Sequence, residues 1–209
     1  MTAEVFRPQS VGRAVRTAFV LGVLVVVAAV AAIAAIGNFT ALVGDNTKDE
    51  LSRYLDNNEH STIKPDGGGF TLDFPVPPSR QSERVPTDVG PVDAPRDGAV
   101  VDDEINFDVI WFDLPGAVPT DADRFFSSMM TRQLRQLSAT RITDTPKKRV
   151  DHAFAVDFVA VSVDRSGLKR YYDEQILLRG RRVWIIRIGS RIRRDAAFQR
   201  FTASFKFTY

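Results

Sequence analysis

The chain has no cysteine, and only two histidines and two tryptophans among its 209 residues. The lack of cysteine excludes disulfides, thiol nucleophiles, zinc–thiolate sites and a lipid-modified cysteine anchor. Of the histidines, His60 falls in the expected stalk and His152 at the start of an expected strand, which does not read as a nucleophile–base arrangement. No G-x-S-x-G elbow is present to activate a serine, and Ser127 and Ser128 fall within a helical pattern. The run Gly67 to Gly69 is followed by neither Lys-Ser/Thr nor a helix start, so it is not a phosphate loop. Asp102, Asp103, Glu104 and Asp108 are hard oxygen ligands, but they lack the alternating spacing and turn glycine of a calcium loop. No catalytic, cofactor-binding or metal-ligating residue is assigned, and neither enzymatic activity nor a cofactor is expected.

Charge is also missing from one long stretch. No ionisable side chain occurs between Arg16 and Asp45, and the 19 residues from Ala18 to Ile36 are apolar except for Gly22. At about 1.5 Å of rise per residue such a helix is roughly 28 Å long, close to the ~30 Å hydrocarbon thickness of a bilayer. The competing reading is a secretion signal. Arg7, Arg13 and Arg16 resemble its basic head, and Ala29-Val30-Ala31 and Ala32-Ile33-Ala34 have the small-x-small form of a cleavage site. The apolar run continues through both sites without a breaker, which favours an uncleaved single-pass anchor over residues 17–37. Three arginines against Glu4 on the leading side place residues 1–16 in the cytoplasm and export the remainder, which makes the expected location a cell membrane.

Beyond this head the chain carries 25 basic and 25 acidic side chains, so its net charge of +2 belongs to the first 16 residues. A neutral exported domain gives no general attraction for nucleic acid, and no nucleic-acid partner is expected. Without disulfides its stability must come from apolar packing. The richness in Ala, Val, Arg and Asp fits a GC-rich bacterial genome.

Residues 38–66 read as a stalk, with a short helix over 46–56 that puts Leu51, Tyr54 and Leu55 on one face. The domain proper is expected at 67–209. FTLDF alternates as a strand from Phe70, and INFDVIWFDL makes a second from Ile105. Residues 79–99 are polar and proline-rich, which suits a loop or irregular edge strands and excludes a helix. Residues 120–138 predict the best helix, with Thr120 as N-cap, acids in the first turn, and a stripe of Phe125, Phe126, Met129, Met130, Leu134 and Leu137. Strands over 152–164, 168–180 and 181–190 follow, the last two as a hairpin around Gly180. A helix over 195–205 closes the pattern. Hairpin-length turns between strands predict α+β: one antiparallel sheet covered by two or more helices.

This order of elements resembles the PsbP-like fold, shared by an extrinsic photosystem subunit, a Ran-binding nuclear import factor and exported actinobacterial proteins. The matching pieces are FTLDFPVPP at 70–78, the mid-chain strand and helix, RRVWIIRI at 181–188 and the closing AAFQRFTASFKF. The likeness covers roughly 70–209. It implies a covered sheet and a binding or accessory role, and it carries no catalytic residues across.

The candidate interaction site is basic. Between Arg179 and Lys206 nine cationic side chains face only Asp195, and Arg191, Arg193 and Arg194 form their densest group. These three would dock an acidic protein, a wall polymer or lipid headgroups. The alternative is internal pairing with the seven acids between Asp88 and Asp108. The function expected is a membrane-tethered, extracytoplasmic module that recognises a protein or envelope component. An exported carrier of a small apolar ligand and an unrecognised hydrolase are the alternatives.

Overall fold

The computed structural model describes residues 50–56 and 59–208. The expected head, membrane span and first part of the stalk lie outside the described residues. Among the described residues no helix is long and apolar enough to cross a membrane. Residues 49–209 form one compact unit.

The unit is α+β. Its main sheet has eight strands: β3 (Ser79–Thr87), β4 (Gly90–Val101), β5 (Ile105–Asp113), β6 (Ala139–Asp144), β7 (Lys148–Val150), β8 (Ala153–Val163), β9 (Lys169–Arg179) and β10 (Arg182–Ser190). Their spatial order is β3-β4-β5-β10-β9-β8-β6, with β7 also paired to β8, and every pair is antiparallel. A small sheet of β1 (Ser61–Ile63), β2 (Phe70–Phe74) and β11 (Lys206–Phe207) lies apart from it. The described helices are α1 (Glu50–Asp56), α2 (Ala122–Gln136) and α3 (Asp195–Ser204).

The centre of the sheet follows from composition. VWIIRIG in β10 is buried along its whole length, because alternate residues serve two different cores. Val183 and Ile185 join Phe112, Phe126, Met129, Phe158 and Ile176 beneath α2. Trp184, Ile186 and Ile188 point the other way, into an aromatic core with Phe70, Phe107 and Phe201 beneath α1, α3 and the small sheet. Trp111 and Trp184, each 3% exposed, are core residues. The expected hairpin is present, with Gly180 at φ +61° in its turn.

Two local features differ from expectation, and a third takes the edge-strand form of its two expected alternatives. The N-cap of α2 is Asp121, one residue past Thr120, and its carboxylate accepts from the Arg124 amide at 3.0 Å. Residues 79–99 form the β3–β4 hairpin. Its prolines are tolerated because β4 meets β5 only from Arg96 onward, which leaves Pro91 and Pro95 on a stretch paired on one side. The stalk reading does not hold from Glu50 onward. Leu51 and Tyr54 are buried, the Tyr54 ring meets Phe107 edge-on at 6.0 Å, and Asp102 accepts from the amides of Glu50 and Leu51. Ser61–Ile63 then pairs with β2. A few apolar side chains in a polar stretch thus suffice to dock it, given a preformed core to receive them.

Candidate functional site

The three arginines of the expected interaction site do not share a partner. Arg191 lies 3.2 Å from Glu104, Arg193 donates to Asp195, and Arg194 occupies the N-cap of α3 with its Nε buried and unpaired. Of the seven acids between Asp88 and Asp108, Asp88 pairs with Arg132, Asp97 with Arg80, and Asp108 with Arg96 and Arg187. The exposed pairs among these, Arg191 with Glu104 and Arg132 with Asp88, contribute little stability.

The densest buried charge lies elsewhere, and the sequence reading missed it. Five strands adjacent in the sheet contribute to a row of ionisable residues on the α2 face, alternating in sign: Glu83, Arg96, Asp108, Arg187 and Glu174. Arg96 donates to Asp108 Oδ1 at 2.6 and 2.8 Å, and Arg187 donates to Asp108 Oδ2 at 3.2 Å and to Glu83 at 3.1 Å. Gln136 ties the last turn of α2 to Glu83 at 3.0 Å. Gly98 is required where Arg96 and Asp108 converge, since a Cβ there would lie 2.8 Å from Asp108 Oδ1. Burial alone would lower the pKa of Arg187, but Glu174, Asp108 and Glu83 outweigh it and push it above the ordinary arginine range.

Glu174 is the odd member. It is fully buried, neither carboxylate oxygen has a hydrogen-bond partner, and Arg187 Nη1 is 3.8 Å away. Burial raises its pKa from 4.5 to about 7, against the pull of Arg187 and with the repulsion of Glu83 and Asp108. Such a value fits acid–base work, but Glu174 is fully buried and lines neither of the open grooves described below. The row is structural, and it makes stability depend on pH. The folded state holds this proton more tightly than the unfolded chain, so stability is greatest below pH 4.5 for this group and falls as pH rises through 7. The loss is on the order of 3 kcal/mol. Glu174→Gln should flatten that decline, read as urea midpoints between pH 5 and 8. An unchanged pH profile would assign the dependence to another group.

The histidines are not arranged for catalysis. The His152 side chain is 79% exposed in a turn beside Asp151, and His60 Nε2 lies 3.7 Å from Asp73.

The opposite face of the sheet carries an open groove of about 610 Å³ between α3 and the β7–β8–β9 side. Its floor is Asp157 on β8 with Asp173 and Gln175 on β9, and Val159 and Phe198 contribute apolar wall. Asp157 is braced by Gln175 at 2.8 Å and by Lys148 at 2.5 Å. Asp173 is 2% exposed and its Oδ2 has no partner. The Arg194 backbone N–H donates to its carboxylate, and Arg193 stays 3.9 Å from Oδ1. Burial raises its pKa despite Arg193. A second open cavity, of about 650 Å³, lies by Gly67–Gly69, but its arginines are engaged: Arg182 bonds Asp113 and Gly67, and Arg181 bonds the Leu114 carbonyl. The α3 groove therefore combines space, apolar wall and an unsatisfied charged atom.

One signal for both sites was present in the sequence. Asp173, Glu174 and Gln175 interrupt a strand that runs into Ile176-Leu177-Leu178, and the turn at Gly180 sets Glu174 opposite Arg187.

No family model matches the chain, and no curated relative does. Among solved structures, the solution structure of cyanobacterial PsbP from Synechocystis sp. PCC 6803 aligns with 71% of this chain and 92% of its own length, at 12% identity and a TM-score of 0.51. A protein of unknown function from Pseudomonas aeruginosa, PA94, titled a putative regulator, aligns with 63% of this chain and 83% of its own at 14% identity, with a TM-score of 0.32. The first of these likenesses shows the fold alone, and the chain has a PsbP-like fold.

Proposed function

We propose that this protein is a non-enzymatic accessory module, tethered to a cell membrane by residues 17–37 with its folded unit outside, and that the α3 groove is where it binds a protein segment. The observation that carries the reading is the groove itself: about 610 Å³, open to solvent, with apolar wall beside a buried carboxylate whose Oδ2 lacks a partner. The charge-free run after Arg16 supports the tether. A tether raises the effective concentration of the domain for any partner in the same membrane, so a shallow groove with modest affinity suffices. A carrier of a small apolar ligand would want an enclosed apolar chamber, and a floor of two carboxylates and a glutamine argues against that use.

The absence of cysteine makes the test clean. Ser166 lies in the exposed turn between β8 and β9, and Ser166→Cys should react with a membrane-impermeant maleimide in intact cells. Labelling only after lysis would overturn the exported location. A photo-crosslinking side chain at Gln199, on the groove, should give a discrete adduct in native membranes, and one at Thr131 on α2 should not. Equal yields at the two positions would remove the groove from the proposal.

A further inference from the structure

We infer that the α3 groove takes an arginine side chain presented by an extended peptide segment, with the guanidinium bridging Asp173 and Asp157. The inference rests on the groove being the binding site proposed above and names its ligand.

The argument begins with Asp173. Its side chain lies on the groove floor, yet it has only a backbone amide as donor, and Oδ2 bonds to nothing. An ionised carboxylate in such a place is costly until a charge-assisted hydrogen bond reaches it. The nearest cation does not supply one. Arg193 is hydrogen-bonded to Asp195, and at 3.9 Å from Asp173 Oδ1 it is beyond hydrogen-bond distance. Its side chain is 43% exposed, so it can swing clear without breaking a packed core.

The second acid is placed for a bridge. Asp157 faces Gln175 across β8–β9 and Val159 faces Asp173, which makes the two aspartates diagonal neighbours on one face. Diagonal pairs of this kind are separated by about 7–8 Å between backbones, within reach of long side chains. A guanidinium has five N–H donors in a planar fork and can address two carboxylates at once, whereas an ammonium acts as a point charge. Asp157 is already fixed by Lys148 and Gln175, so it is a preorganised acceptor.

The rest of the groove indicates a peptide as the source of the guanidinium. Val159 and Phe198 offer apolar wall beside the acidic floor, and the space of about 610 Å³ runs past the aspartates along α3. A free guanidinium would leave that wall uncovered. An arginine flanked by aliphatic residues would cover it and lay its methylene stem against it.

Three probes and one substitution test this on the full chain in mild detergent, by isothermal titration calorimetry. The probes are acetyl-Leu-Arg-Val-amide, the same peptide with citrulline in place of arginine, and butylguanidinium. The arginine peptide should bind at one site, and the citrulline peptide, which keeps the shape and loses the charge, should bind at least about tenfold more weakly. Asp173→Asn should weaken the arginine peptide by a similar factor and leave the citrulline peptide unchanged, and the Arg/citrulline contrast needs no variant to fold. Equal affinity for the two peptides would overturn the charge recognition while leaving the groove as a binding site. Binding of the arginine peptide that survives Asp173→Asn would place the cation elsewhere. Butylguanidinium matching the peptide would overturn the peptide source, and no binding by any probe would overturn the inference outright.

Discussion

Arg187→Leu is expected to destabilise the folded unit by about 3–5 kcal/mol, as removal of one partner from a buried ion network does. Arg187 is 5% exposed and sits between three carboxylates, Asp108 and Glu174 on the two neighbouring strands and Glu83 on β3. Leucine fills part of the volume but leaves Arg96 as the one remaining cation of the row, and Arg96 is bound mainly to Asp108. The measurement is urea denaturation at pH 7. Adding Glu83→Gln to Arg187→Leu should recover part of the loss, because it removes a carboxylate that faced Arg187 at 3.1 Å, and the coupling energy follows from the double variant and both single variants together. Arg187→Lys should fall between leucine and wild type, since an ammonium keeps the charge and loses the fork that reaches Asp108 and Glu83 together. A loss below about 1 kcal/mol for Arg187→Leu would mean that the row is not a structural element.

Phe201→Asp is expected to leave the folded unit unpopulated at 25 °C. Phe201 is fully buried on α3 and meets Phe74 and Phe107 edge-on, with centroids 5.0 and 5.1 Å away. Truncation of such a ring to alanine alone costs about 3–5 kcal/mol. Aspartate adds the desolvation of a charge with no cation facing it, which together reaches the whole stability of a typical domain. Loss of cooperative thermal unfolding and of near-ultraviolet aromatic signal is the expected result. Phe198→Asp, one turn away and only half-buried at the groove wall, should be far milder. A melting temperature unchanged by Phe201→Asp would mean that α3 does not present this face to the sheet.

The two helices that were legible in the sequence carry their instructions locally. In α2 the capping aspartate, the first-turn acid and the stripe through Phe125, Phe126, Met129 and Met130 all lie within one segment. The β9–β10 hairpin is local in the same sense, since one glycine turn sets the register of both strands. Strands that depend on partners were harder to read. β6 is almost wholly exposed, so it lacks the alternation that marks a strand, and only its pairing with β8 makes it one. The prolines of β3 and β4 argue for a loop until the sheet order shows that Pro91 and Pro95 need no second neighbour. Residues 50–66 read as a stalk because their apolar content is small, and their place in the fold comes from Phe107, Asp102 and β2, far along the chain.

The candidate site divides the same way. The arginines at 191, 193 and 194 stand out as a run, yet proximity in sequence does not give them a common partner, and each turns to a different acid or to none. Asp157 is unremarkable among 25 acids beyond the head until β8 and β9 pair and set it diagonal to Asp173. By itself the sequence determined the fold class, the order of the central elements and the hairpin at Gly180, because hydrophobic periodicity and turn chemistry act over a few residues. Only the tertiary structure decided which charges meet, which acid is left without a donor, and where a groove stays open. Those outcomes depend on β5 lying beside β10 and on α3 crossing the sheet, and both bring together residues that the chain itself keeps far apart.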